Sequence, residues 1–215
     1  SLQPDLFLFT GDMVNNVASE MDIFLPIMNK VKAKHGKYSV LGNHDYGEYI
    51  PWRSEDDKLA NLEKLKENQK VSGLDLILND SRSIRIGNEE ISILGVENWG
   101  LPPFPQYGDL PKALSNVRTD SFKILLSHDP THWDEEVLGY TKIDLTLSGH
   151  THGAQFGIEI PGWRWSPVNM RYKRWGGLYS EGKQHLNVNT GIGFIGFPGR
   201  VGMPPEISLL ELRRV

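Results

Sequence analysis

The chain has 215 residues, 39% of them hydrophobic and 23% charged, which suits a single globular core. Its net charge of -4, with Lys and Arg scattered among acids rather than gathered in a stripe, argues against a nucleic acid as structural partner. The absence of cysteine excludes disulfides, thiolate ligands and a cysteine nucleophile, so any metal must sit on His, Asp, Glu or Asn, and no apolar run reaches the roughly 18 residues of a membrane-spanning helix.

The first residue is Ser1, and Leu2-Gln3-Pro4-Asp5 reads as the end of a connection entering a strand, so a further segment is expected upstream. Leu6-Phe7-Leu8-Phe9 is a continuous apolar run closed by Thr10-Gly11-Asp12, the pattern of a strand buried on both faces that ends in a loop. Met21, Phe24, Leu25 and Met28 recur at helical spacing between Ser19 and Ala33, with Pro26 marking a helix start or kink. Tyr38-Ser39-Val40-Leu41 predicts a second strand, followed by Gly42-Asn43-His44-Asp45.

Ser54 and Asp57 have the spacing of a capping box, and Leu59, Leu62 and Leu65 with Gly73 beyond predict an amphipathic surface helix. Ile84 and Ile86 alternate before Gly87-Asn88, and Ile91 and Ile93 after it, which predicts a hairpin with a short turn. Residues 100–111, rich in Pro and Gly, read as a loop. Ile124-Leu125-Leu126-Ser127 and Leu145-Thr146-Leu147-Ser148 read as buried strands, leading into His128 and Gly149-His150. Residues 156–182 read as loop, and Leu186-Asn187-Val188 and Ile207-Ser208-Leu209-Leu210 as the last strands. Strand-helix units early and paired strands late predict an α/β sandwich, two packed sheets with helices outside.

Four strands thus end in residues able to hold a metal: Asp12, Asn43, His128, and His150 with His152. A carboxylate can bridge two cations, an amide oxygen adds a neutral donor, and imidazoles suit Zn, Mn or Fe, so the mixture fits a hydrolytic site accepting phosphate oxygens. Taken singly, Gly11-Asp12 or Gly42-Asn43-His44-Asp45 is also the sequence of a turn or helix cap, and His128 that of a core histidine. Two imidazoles two residues apart in Gly149-His150-Thr151-His152 have little packing rationale, and four such loops in order point to one site at one sheet edge.

This ordered set, Gly11-Asp12, Gly42-Asn43-His44-Asp45, His128 and Gly149-His150-Thr151-His152, resembles the calcineurin-like metallophosphoesterase family over essentially the whole chain. Residues 147–155, Asn189-Thr190-Gly191-Ile192-Gly193 and Pro204-Pro205-Glu206-Ile207 resemble its bacterial YkuE/YaeI-type branch. The resemblance implies one domain over residues 1–215, a four-layer α/β/β/α sandwich with two mixed sheets, and a hydrolase for phosphomono- or diesters that uses a metal-bound hydroxide at a binuclear site. It implies that Asp12 bridges two divalent ions (Mn, Fe, Zn, Ni or Co), that Asn43, His128 and His150 complete one, and that His152 belongs to the other. His44 becomes the general acid or transition-state stabiliser, with Asp45 orienting it or capping the turn.

The chain departs from the family pattern in two ways. No Asp-x-His motif precedes Asp12, so the expectation is a domain missing its first strand-helix unit, N-terminally incomplete, with at most one ion well bound and weak or no turnover. The intact protein is then expected to carry that strand upstream, cytoplasmic or held at a membrane by an anchor before it. If the full-length protein also lacks the motif, a non-catalytic metal- or phosphate-binding domain is the alternative. The second departure is Asn15, where many relatives carry an aspartate that orients the catalytic histidine, which leaves the orientation of His44 open.

The implied partner is a small phosphorylated substrate. Trp163-Arg164-Trp165 and Arg171-Tyr172-Lys173-Arg174-Trp175 mix aromatic rings with guanidinium groups, suiting either lipid headgroups or a substrate phosphate, or else a sheet-covering loop whose rings are core. His35, His132 and His185 read as structural or surface residues.

Overall fold

A computed structural model describes residues 3–161 and 163–213, so the readings placed on Ser1 and Leu2 lie outside the described residues. In chain order the elements are β1 (Phe7–Phe9), α1 (Leu25–Met28), β2 (Lys37–Ser39), α2 (Glu55–Val71), β3 (Asp75–Leu76), β4 (Asp80–Ile86), β5 (Glu89–Gly95) and α3 (Leu110–Leu114). The second half adds β6 (Phe122–Leu126), β7 (Leu145–Ser148), β8 (Ile158–Ile160), β9 (Trp163–Trp165), β10 (Gly177–Glu181) and β11 (Gln184–Val188).

Strands β1, β2 and β3 form a parallel sheet in that order, and a mixed sheet runs β10-β11-β7-β6-β5-β4. Between them lies a core of Val40, Ile77, Ile84, Ile93, Ile124, Leu126, Leu145 and Leu147, with Leu8 and Tyr38 packed against it. On the outside of the small sheet, Leu65 of α2 packs with Val14, Ala18 and Met21. On the outside of the large sheet, Leu110 and Ala113 of α3 and Trp133 and Val137 of a short π-turn cover Leu94, Leu125, Leu186 and Val188. Each sheet buries one face on the other sheet and one under helix, which is the expected α/β/β/α layering. Because β5, β6, β7 and β11 are parallel, their C-terminal ends share one edge, and the loops that follow converge there.

Several elements differ from expectation. The residues of β1 are half-buried rather than sequestered on both faces. Residues 19–33 do not form one helix: a 3-10 turn, Ala18–Met21, gives way to the single turn α1, because Pro26 in its first turn cannot donate to a preceding one. Ser54 caps α2 as expected, its Oγ accepting from Asp57 N at 3.2 Å, but Leu59 faces solvent and the buried stripe is Leu65, Asn68 and Gln69. Helix α3 begins inside the stretch read as loop, capped by Asp109 with Pro111 in its first turn. The 156–182 stretch holds β8, β9 and β10. Ile207–Leu210, strand-like in composition, forms no strand among the described residues.

Candidate functional site

Asp12 follows β1, Asn43 and His44 follow β2, His128 follows β6, and His150 and His152 follow β7. One carboxylate locks the first two loops together. Asp45, buried, accepts backbone N–H groups from Asp12 at 2.9 Å, Met13 at 2.8 Å, Val14 at 3.3 Å and Gly42 at 2.8 Å. Asp45 therefore caps and joins turns rather than orienting His44. The backbones approach so closely that side chains are excluded: a Cβ on Gly42 would lie 2.2 Å from Asp12 Oδ1, and one on Gly11 would lie 2.5 Å from Gly42 N. Asp12, His150 and His152 adopt left-handed backbone (φ 57°, 67° and 51°), as do Ala154 and Gln155, conformations costing about 1–3 kcal/mol each that cluster where geometry must be held for function.

The donor atoms of Asp12, His128 and His150 all lie within 4.8 Å of one another. His128 donates from Nδ1 to the Thr10 carbonyl at 2.7 Å, which leaves the Nε2 lone pair directed at Asp12, whose Oδ2 is 3.0 Å away. His150 Nδ1 comes within 3.2 Å of that same Nε2, while its own Nε2 is 2.8 Å from the Tyr172 hydroxyl and 3.5 Å from Asp129 Oδ2. Asn43 spends its amide N–H on the Tyr49 hydroxyl at 2.7 Å, so its Oδ1 is free. Asn43 Oδ1, Asp129 Oδ2 and His152 Nδ1 are buried without a hydrogen-bond partner, and Asp12 Oδ2 has only His128 Nε2 beside it. Buried polar atoms are normally paired. Convergent hard and borderline donors left unpaired are what a divalent cation requires, so these residues fit a metal.

The charges agree with that fit. Burial, with His128 beside it, pushes His150 down to about 3, and burial pushes His152 down to about 4, so both are neutral imidazoles with a lone pair to give. Burial would lower His128, but the Asp12 carboxylate outweighs it and raises the ring to about 9. Burial opposes ionisation of Asp12, yet His128 holds its carboxyl below the usual carboxylate range. A divalent ion held by these two residues would take the place of the proton they share.

His44 donates its backbone N–H to Asp12 Oδ1 at 3.0 Å, and its ring Nδ1 lies 2.7 Å from the Asn15 carbonyl. A main-chain oxygen therefore orients His44, and the Asn15 side chain is not the orienting group. All the predicted residues come together. Asp12, Asn43, His44, His150 and His152 line one cleft of about 630 Å³, with His128 behind Asp12, and Tyr49, Phe104, Phe156, Arg171, Phe197 and Val201 complete its walls.

Sequence reasoning missed Asp129, Tyr49 and Phe104. Asp129 had a signal, a carboxylate directly after His128. The Thr10 and Asn15 carbonyls had none, because every residue carries one. The aromatic-cationic cluster divides: Tyr172, Arg174 and Trp175 are buried, whereas Trp163 and Trp165 are exposed. His132 is structural, buried between Ser127 at 2.8 Å and Glu136 at 3.1 Å.

A family model described as calcineurin-like phosphoesterase matches residues 1–154. The chain is 29% identical to the uncharacterized metallophosphoesterase YkuE of Bacillus subtilis over 98% of this chain and 68% of that protein. It is 27% identical to phosphodiesterase YaeI of Escherichia coli over 98% of this chain and 71% of that protein. A bovine transmembrane protein with a metallophosphoesterase domain is 28% identical, and the chain covers 99% of itself but 47% of that protein. Among solved structures, the sulfate thiohydrolase SoxB of Thermus thermophilus shares the fold, with TM-score 0.53, 17% identity, and coverage of 85% of this chain and 33% of SoxB.

Proposed function

Because the chain belongs to the calcineurin-like phosphoesterase family, we propose that Asp12, Asn43, His128 and His150 would hold one divalent ion, that His152 with Asp12 would serve a second, and that phosphomono- or diesters are cleaved in this cleft beside His44. The coarser activity follows from membership itself: the protein is a metal-dependent hydrolase of phosphoric esters. The observation that supports the finer reading is the convergence of the Asp12, His128 and His150 donor atoms within 4.8 Å, with Asn43, its Oδ1 unpaired, lining the same cleft as Asp12 and His150.

Bound divalent ions supply a lowered pKa for water and neutralisation of charge on the phosphoryl oxygens. The chain's own groups do the rest. The Thr10 carbonyl fixes the His128 tautomer so that Nε2 faces inward, and Tyr172 engages Nε2 of His150, which leaves Nδ1 as the nitrogen available to the site. Tyr49 takes the Asn43 amide N–H, which leaves the Asn43 oxygen unpaired and available as a ligand. His44 keeps a proton on Nδ1 for Asn15 O, so Nε2 is the atom that gains and loses a proton, and as an imidazolium it delivers that proton to the leaving oxygen.

The test is elemental analysis after manganese loading, alongside hydrolysis of bis-p-nitrophenyl phosphate. One tightly held equivalent, lost in Asp12→Asn and His150→Gln, together with weak manganese-dependent turnover is the expected result. No metal uptake would overturn the ligand assignment, and uptake without turnover would leave a metal-binding site in place of the proposed cleavage.

A further inference from the structure

One wall of the cleft is unlike the rest. Phe156, Phe197 and Val201 line it and are exposed, and a bridge between Phe156 and Val201 joins them side by side. Phe156 leads within two residues into the β8–β9 hairpin. There Ile158 pairs with Trp165 and Ile160 with Trp163, so strand alternation puts all four side chains on one face. They are 49%, 40%, 54% and 50% exposed respectively. The intervening pair, Glu159 and Arg164, points to the other face, ion-paired at 3.2 Å, with the Arg164 guanidinium 5.1 Å from the ring centre of buried Trp175. This contact fixes which face of the hairpin is turned outward. Glu159 and Arg164 pair with each other on that opposite face, and among the described residues the outward face carries only Ile and Trp.

We propose that the cleft takes phosphoesters carrying a long apolar chain, and that the outward face of the β8–β9 hairpin seats on the anionic lipid surface that presents them. The inference rests on the phosphoesterase reading. Its substrate part stands on proximity, because Phe156 of the cleft wall has extended backbone and stands two residues before Ile158, on the same side of the chain. Its docking part stands on chemistry: paired Trp beside Ile, with no charge, suits the boundary between headgroups and acyl chains, whereas a protein partner would be met by a polar rim. Arg171, exposed in the same cleft and stacked over Phe104 at 5.1 Å, offers a cation to an anionic headgroup.

The experiment is co-sedimentation with vesicles of equal parts phosphatidylcholine and phosphatidylglycerol, with quenching of Trp fluorescence by bromine-labelled acyl chains. The full chain is compared with the double variant Trp163→Ser, Trp165→Ser, whose thermal melt is checked against the parent. Expected are vesicle binding and quenching by the parent, and weakening in the variant by about tenfold or more, the scale set by burying large apolar side chains. The parent should also cleave p-nitrophenyl hexadecyl phosphate in preference to p-nitrophenyl methyl phosphate, and the variant should keep its rate on the methyl ester. No preference for the hexadecyl ester would overturn the substrate half, and absence of vesicle binding or equal binding by the variant would overturn the docking half. So would a concentration-dependent dimer abolished by the two substitutions, which would assign the face to a second copy. The methyl ester separates the two readings: turnover of it without vesicle binding sinks the docking alone, and vesicle binding without any turnover sinks the phosphoesterase reading and the substrate half with it.

Discussion

Asp12 and Phe197 line the same cleft but are held by different means. Around Asp12, positions are fixed through main-chain atoms: four amides converge on Asp45, the Thr10 and Asn15 carbonyls grip two histidines, and glycines let the loops touch. Around Phe197, the loop is tied by side chains reaching across. The Gln155 amide donates to the Phe197 and Gly199 carbonyls at 2.7 and 2.9 Å, and Arg200 donates to the Gly193 and Thr190 carbonyls at 2.9 and 2.8 Å. The first region buries polar atoms and exposes almost none of them; the second points rings at solvent. A reacting centre needs donors fixed before substrate arrives, and main-chain anchoring supplies that. An apolar wall needs only shape and area.

The sharpest way to break the floor is Asp45→Ala. Four amides lose their acceptor at once inside a buried turn, and the variant should lose about 3–5 kcal/mol of stability, the cost of breaking a buried charged network. Urea denaturation measures this. A loss below about 1 kcal/mol, the scale of a single ordinary hydrogen bond, would mean that the floor is not held through Asp45.

His44→Gln should lower kcat by about 10²–10⁴, the usual contribution of a positioned acid or base, with metal content retained. Asn15→Ala should lose far less, because the atom that holds His44 Nδ1 is the carbonyl, which the substitution keeps. Equal losses in the two variants would return the orienting role to the side chain.

The contrast between these two variants shows what the sequence made legible. Asp12, Asn43, His44, His128, His150 and His152 were readable because each is a polar side chain placed after an apolar strand, and the parallel pairing of β1 with β2 and of β6 with β7 sets such positions at the C-terminal strand ends of each sheet. The Asn15 and Thr10 carbonyls were not readable, since nothing in residue type announces a main-chain acceptor. The β8–β9 hairpin was hidden for another reason: its Ile and Trp alternation lies in a stretch dense in Gly, Pro and Arg, where composition outweighs a period carried by three-residue strands. The run Ile207–Leu210 failed in the opposite direction, having strand composition but no ladder partner among the described residues.

Gly42→Ala probes the floor without touching a candidate ligand. A methyl group 2.2 Å from Asp12 Oδ1 must displace that carboxylate, and manganese affinity should fall by about 10–100-fold, as it does when the groups that orient ligands are disturbed. Isothermal titration reads the change, and unchanged affinity would show that the loop relaxes freely.

Phe197→Ser should do least to the fold. Phe197 is 60% exposed, and the three bonds it contributes to the wall come from its backbone, donating to Ile195 O and accepting from Gln155 Nε2 and Gly199 N, so the serine keeps all three. Stability should stay within about 0.5 kcal/mol of the parent, the range of an ordinary surface substitution. The kinetic effect should fall on KM for esters with an apolar chain and leave small water-soluble esters little changed, because the ring offers contact area and no chemistry. A fall in kcat for the small ester instead would mean that the wall positions the reacting groups, and the division between a fixed floor and a contacting wall would not hold.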